Sequence, residues 1–248
     1  MPATPAWPPA STPRLFIDRQ LSDGLELGID GAAAHYLAGV MRLKPGDPVR
    51  LFDDRTGEWL AEIKHVGKRD LLLGITAFLH PREAVPDLWL LAAPIKKGRI
   101  DWMAEKACEL GVARLCPVLT RRTIVDRLNL ERLRAPMIEA AEQCGRTALP
   151  ELAEPAKLDV VLRAWPADRA LIFADEQGGL PMAEAAASGP AAILIGPEGG
   201  FTDEERAQIR ALPQARPISL GPRILRADTA MAAAVSLWMA AAGDWRAR

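Results

Sequence analysis

Two glycine-bearing segments near the end of the chain carry the residues best placed to do chemistry. The first reads AAILIGPEGGFTDEE, with its turn at Gly196-Pro197-Glu198-Gly199-Gly200; the second reads ISLGPRILRADTA, with its turn from Gly221 to Arg226. Glycines lay bare the main-chain N–H and C=O groups, so a ligand can approach the backbone itself. Asp203, Glu204 and Glu205 follow the first turn directly. Acid at a helix start opposes a pyrophosphate and suits a neutral or cationic ligand. The G-P-E-G-G spacing is not a dinucleotide fingerprint, and no G-x-x-x-x-G-K-[ST] occurs in the chain.

The flanking residues say what positions these turns. Ile193, Leu194 and Ile195 have the branching and length of a short buried strand, which Pro197 and the glycines stop. A helix is predicted to open at Thr202, with Glu205 three residues on completing a capping box. The second segment repeats the plan. Pro217 to Leu220 is the predicted strand, Gly221-Pro222 the break, and Asp228 or Thr229 the cap of a long apolar helix. Two such turns side by side at one end of a parallel sheet make a ligand site.

IGPEGGFTDEE followed by LGPRILRADTA resembles the SPOUT-class RNA methyltransferases, in particular the family that methylates N3 of a uridine in bacterial small-subunit (16S) ribosomal RNA. Three further segments resemble that family: KKGRIDWMAEKACELGV from Lys96, TRRTIV with Arg122, and AEQCGR from Ala141 to Arg146. HYLAGVMRLKPGDPVRLFD resembles its N-terminal PUA-like β-barrel, which holds RNA. The resemblance implies S-adenosylmethionine as cofactor, whose sulfonium is cationic. It places that cofactor on Leu194, Ile195, Gly196, Pro197, Glu198, Gly199 and Gly200 of the first turn, and on Leu220, Gly221, Ile224, Leu225 and Arg226 of the second. It also implies a C-terminal trefoil knot and a homodimer. Asp228 stands where the family commonly has Glu, and Cys144 where serine is frequent.

The fold class read from the whole chain is α/β, with a mostly parallel sheet and a small N-terminal β domain. Residues 1–13, with five prolines, are predicted to be a disordered tail. From 14 to 80 short alternating runs such as Val49 to Phe52 and Leu60 to Ile63 predict strands, with one helical insert from Ala32 to Met41. Residues 81–86 read as a linker. From 87 to 248 strands at Leu88, Val112 and Leu171 alternate with helices from Ile100 to Leu110 and Leu130 to Cys144. The last helix, Thr229 to Ala242, is apolar nearly all round, which predicts burial on every side and a close-packed partner helix.

Composition sets the remaining bounds. Formal net charge is −1 with 25% charged residues, so any basic face for RNA must be built locally. Lys96, Lys97 and Arg99 form one such cluster, and Arg42 and Lys44 a second. Cys108, Cys116 and Cys144 have neither zinc nor disulfide spacing, and His35, His65 and His80 are scattered, so no metal is expected. No secretory pattern is present, and the longest apolar stretch is too short for a membrane span, which predicts a cytoplasmic protein. Methylation at N3 requires in-line alignment and stabilisation of charge spreading onto O2 and O4. Arg226 is the first candidate for that role, with Arg122, Glu142 and Arg146 behind it. The expected substrate is 16S RNA in the assembled small subunit. Two readings stay open: an RNA-binding protein of this fold without turnover, and a SPOUT methyltransferase acting on another nucleotide.

Overall fold

The computed structural model describes residues 12–96, 98–125, 127–186 and 188–245, so residues 1–11 of the expected 1–13 tail and Lys97 lie outside it, while Thr12 is buried. The chain forms two compact units. One comprises the described residues up to Ala84 together with Gly145–Ala148; the other comprises Val85–Cys144 and the described residues from Leu149 onward.

The first unit holds β1 (Arg14–Phe16), β2 (Glu26–Asp30), α1 (Gly31–Ala34), β3 (Pro48–Phe52), β4 (Gly57–Val66) and β5 (Asp70–Pro81). The helical insert expected from Ala32 to Met41 is α1 continued by a π-helical turn, His35–Val40. The sheet runs β1-β3-β4-β5-β2, antiparallel except for β1 on β3. Three register shifts between β4 and β5 bend this long ribbon, so that Leu27, Leu37, Leu51, Ile63 and Leu73 share one core. Beside it Glu58, 3% exposed, pairs with Arg14, with His80 at 3.2 Å and Arg50 at 3.7 Å. Arg14 also donates to the Arg146 carbonyl at 3.2 Å, and Glu83 accepts from the N–H groups of Thr147 and Ala148 at 2.8 and 3.1 Å. These bonds tie the short 145–148 segment to the first unit. Arg146 is itself buried there, its Nε 3.8 Å from Glu83.

The second unit contains β6 (Leu88–Ala92), α2 (Arg99–Glu109), β7 (Arg114–Leu119), α3 (Leu130–Cys144), β8 (Glu151–Leu152), β9 (Ala156–Lys157), α4 (Leu158–Arg163), β10 (Ala170–Ala174), α5 (Met182–Ala185), β11 (Ala191–Ile195), α6 (Asp203–Arg210), β12 (Ala215–Ile218) and α7 (Ala227–Ala241). Its sheet is parallel throughout, in the order β12-β10-β11-β6-β7-β8, with β9 on β7. Buried on both faces, β11 reads Ala-Ala-Ile-Leu-Ile without alternation. Leu194 faces a cluster with Leu158, Leu171, Phe173, Phe201 and Ile209 beneath α4 and α6. Helices α2, α5 and α7 pack together, α7 also on β11. Gly111, φ 86°, ends α2 in the left-handed region, with its N–H on the Cys108 carbonyl.

Three local expectations are corrected. Strand β12 ends at Ile218, two residues short of Leu220, because Ser219 turns to donate its N–H to the Leu180 carbonyl. Helix α7 is capped by the extended backbone of Arg226, not by Asp228 or Thr229; the Asp228 carboxylate accepts the Thr229 N–H instead and sits in the first turn, where its charge suits the helix dipole. Nor is α7 buried on every side of one chain: Met231, Val235, Trp238 and Met239 are buried, but Leu237 is 48% exposed.

Candidate functional site

The order β12-β10-β11 brings the C-terminal ends of three neighbouring parallel strands together, and the loops that leave them enclose a cleft of about 320 Å³. Its floor comes from Ile195 to Glu198, Gly200 and Phe201 after β11 and Ser219 to Arg226 after β12. The third wall, Ala174 to Gly178 after β10, was not picked out as a site from the sequence. Its signal is visible in retrospect: LIFADEQGG is again an apolar run stopped by acid and glycine. Gly179 lies so close under β12 that a Cβ there would sit 2.4 Å from the Pro217 carbonyl.

Of the twelve residues expected at the cofactor, Ile195, Gly196, Pro197, Glu198, Gly200, Leu220, Gly221, Ile224, Leu225 and Arg226 line the cleft. Leu194 does not; the strand's alternation turns it into the core. Gly199 does not either, and its carbonyl accepts from Arg122 Nη1 at 2.5 Å. Arg122 thus braces the first turn from outside the cleft, with a second, longer bond to the Phe201 carbonyl. The expected capping box is present: Thr202 Oγ1 accepts from Glu205 N–H at 3.2 Å, and Glu205 Oε2 accepts from Thr202 N–H at 2.9 Å. Glu205 Oε1 accepts the Arg121 N–H at 2.7 Å, which fastens the loop after β7 to the same turn.

The acid expected at the cleft from the sequence lies elsewhere. Asp203, Glu204 and Glu205 do not line the cleft; Glu205 is buried in its cap, and Asp203 pairs with Arg206. The acidic residues among the cleft's lining are Asp175, whose side chain is buried, Glu176 and Glu198, together with Arg206, Arg223 and Arg226. Asp175 is held by Arg206 at 3.1 Å and Arg210 at 2.7 Å. Burial alone would push its carboxyl up, but the Gln177 N–H and the two guanidiniums outweigh that and hold it below the usual carboxylate range.

The other expected residues are placed as follows. Glu142 on α3 is partly buried and Arg146 belongs to the first unit; neither lines the cleft. Lys96 is exposed before α2. Arg99 instead lies 3.8 Å from Glu198 and 3.7 Å from Asp228, between the first turn and the start of α7. In the first unit Lys44 is exposed, and exposed Arg42 takes a left-handed backbone with φ 56°. Among the described residues no cluster of three His, Cys, Asp or Glu could hold a metal, and no helix is long and apolar enough to cross a membrane.

Burial pushes the Cys116 thiol up to about 11, while Cys144 is exposed and Cys108 buried. The folded protein at pH 8 is therefore expected to take up one equivalent of a thiol reagent quickly, on Cys144. Mass mapping of the adduct checks this, and rapid labelling of Cys116 would contradict it.

A cleft at the ends of parallel strands, lined by glycine-bearing loops with acidic and basic side chains together, is the usual place for a small organic ligand. The chain belongs to the RNA methyltransferase family: the model of the RNA methyltransferase domain matches residues 81–239, and that of the RNA methyltransferase PUA domain matches 29–76. It is 31% identical to the ribosomal RNA small subunit methyltransferase E of Rickettsia conorii, over 90% of this chain and 93% of that one. A putative methyltransferase from Legionella pneumophila, in complex with the bound cofactor SAM, superposes with a TM-score of 0.85 at 31% identity, covering 94% of this chain and 99% of that one. The ribosomal RNA small subunit methyltransferase E of Neisseria gonorrhoeae, bound to S-adenosyl methionine, gives 0.86 at 26% identity, over 95% and 100%.

Proposed function

We propose that this protein transfers a methyl group from S-adenosylmethionine to N3 of a uridine in 16S ribosomal RNA. The observation that carries the reading is the three-loop cleft, present in a chain that resembles SAM-bound methyltransferases over nearly its whole length. The residues present fit the cofactor. Gly196 and Gly200 let the first turn close against its neighbours, since a Cβ would meet the Phe201 ring at 3.1 Å on the former and the Glu176 carboxylate at 2.9 Å on the latter. Ile195, Leu220, Leu225 and Ala230 supply apolar wall for a purine, and the exposed part of Glu198 offers acid to a cationic group. When bound, S-adenosylmethionine supplies an electrophilic methyl on a positive sulfur.

Arg226 lines the cleft and is exposed at the start of α7. From there its guanidinium meets the charge that grows on O2 and O4 of the uracil as the N3 proton leaves. Arg122 and Glu205 keep the first turn rigid. Glu142 and Arg146 take no part in this scheme. The target uridine must be unpaired to present N3. Arg42, Lys44, Lys96 and Lys97 contact its RNA, and Arg99 tethers the two turns.

A trefoil knot built from the last segment belongs to the same reading. The exposed Leu237 face of α7 supports a homodimer. The assembled small subunit in the cytoplasm is the expected setting.

Calorimetry with S-adenosylmethionine and S-adenosylhomocysteine, then mass mapping of 16S RNA from cells lacking the protein, tests the function. One uridine is expected to lose its N3 methyl. An unchanged methylation map would refute the proposal.

A further inference from the structure

The loop after β10 carries a carboxylate that neither sheet nor helix requires. Glu176 lines the cleft, with its side chain about half exposed, yet it is held in place. Its Oε1 accepts from Arg206 Nη2 at 2.9 Å. Arg206 itself is 5% exposed and is fixed from beneath by Asp175, through a bond from Nε at 3.1 Å. The direction of the carboxylate is set by Gly200: a Cβ there would stand 2.9 Å from both Oε1 and Oε2, so both oxygens lie over the bare α-carbon of the first turn. Among the described residues Oε2 accepts no hydrogen bond. The result is a braced acceptor with an uncommitted oxygen, aimed along a glycine floor.

A nucleoside in this cleft offers a carboxylate one chemically matched partner, the vicinal 2′ and 3′ hydroxyls of ribose. They donate two O–H groups at a spacing that one carboxylate can accept, as an acidic side chain does for ribose in dinucleotide-binding folds. An unbraced, half-exposed glutamate would spend rotamer freedom to make those bonds; Arg206 has already fixed this one. We propose that Glu176 reads the ribose of the methyl donor and makes the site selective for ribonucleosides over their deoxy counterparts. This rests on the S-adenosylmethionine reading above.

The test uses the full chain and three probes: S-adenosylhomocysteine, its 2′-deoxy analogue, and 5′-methylthioadenosine, which keeps the ribose but lacks the amino-acid tail. Wild-type protein is expected to bind the deoxy analogue about 10- to 100-fold more weakly, the usual penalty for losing a hydrogen bond to a charged group. In Glu176→Gln that ratio narrows to a few-fold, while S-adenosylhomocysteine and methylthioadenosine weaken by the same factor. Equal loss for the hydroxy and deoxy compounds in the variant would mean that Glu176 only supports Gly200, and the proposal fails. A variant weakened for S-adenosylhomocysteine but not for methylthioadenosine would assign the carboxylate to the ammonium of the tail, and again the proposal fails. Wild-type protein that binds S-adenosylhomocysteine without discriminating the deoxy analogue overturns the role of Glu176 and leaves the methyltransferase reading standing. No binding of any probe overturns both. The wild-type comparison needs no variant, so it holds even if Glu176→Gln unfolds.

Discussion

Asp175→Ala is expected to destabilise the second unit by about 3 kcal/mol, among the larger costs of a single substitution. The Asp175 side chain is fully buried and takes one bond from Arg206, two from Arg210 and one from the Gln177 N–H. Alanine would leave the Arg206 guanidinium buried, with only the more exposed Glu176 and Asp203 as partners. Urea unfolding monitored at two wavelengths measures the effect, and a variant as stable as wild type would show that the cluster contributes nothing. The acid dependence gives a second reading of the same group. The folded carboxyl titrates below its unfolded value, so between the two the unfolded chain binds more protons and stability rises with pH. The contribution is complete above the ordinary carboxylate range and is lost as pH falls through the folded value. Asp175→Asn is therefore expected to flatten the acid limb of the stability profile, and an unchanged limb would argue against the assignment.

Arg226→Ala is expected to bind S-adenosylhomocysteine within a few-fold of wild type and to lose about 10²- to 10³-fold in the rate of a single methyl transfer. The reason is placement. Arg226 is the last residue of the second loop, five positions after Gly221, and its extended backbone, not its side chain, caps α7. Removing the side chain therefore leaves the helix start and the cofactor bed in place. Arg226→Lys restores the charge without the planar fork, and recovers part of the rate. Methylation of the RNA at an unchanged rate by Arg226→Ala would remove this residue from the chemistry.

What the sequence made legible was local. The capping box at Thr202 and Glu205 and the glycine that ends α2 follow from residues three or four apart, and both stand where their patterns put them. The two glycine-bearing turns that line the cleft were legible for the same reason. The third loop was not, because its membership in the cleft depends on β10 lying between β11 and β12, a fact of strand order that no short window contains. The acid next to the first turn was misread in the same way. Asp203 to Glu205 are neighbours of the glycines in sequence, but Glu205 serves the cap of α6 and Asp203 pairs with Arg206, and the acidic residues lining the cleft are Asp175, Glu176 and Glu198. Arg99 was grouped with Lys96 and Lys97 by proximity along the chain, while its guanidinium reaches Glu198 and Asp228.

The loan of Gly145–Ala148 to the first unit bears on how the molecule can be dissected. Severing the chain after Ala84 would not yield two independent pieces. The amino-terminal fragment would forfeit the carbonyl that Arg14 grips and the two amides that Glu83 receives, and the carboxy-terminal fragment would carry an orphaned tetrapeptide with the guanidinium of Arg146 stripped of its burial. A stable amino-terminal fragment would need those four residues grafted back onto its end.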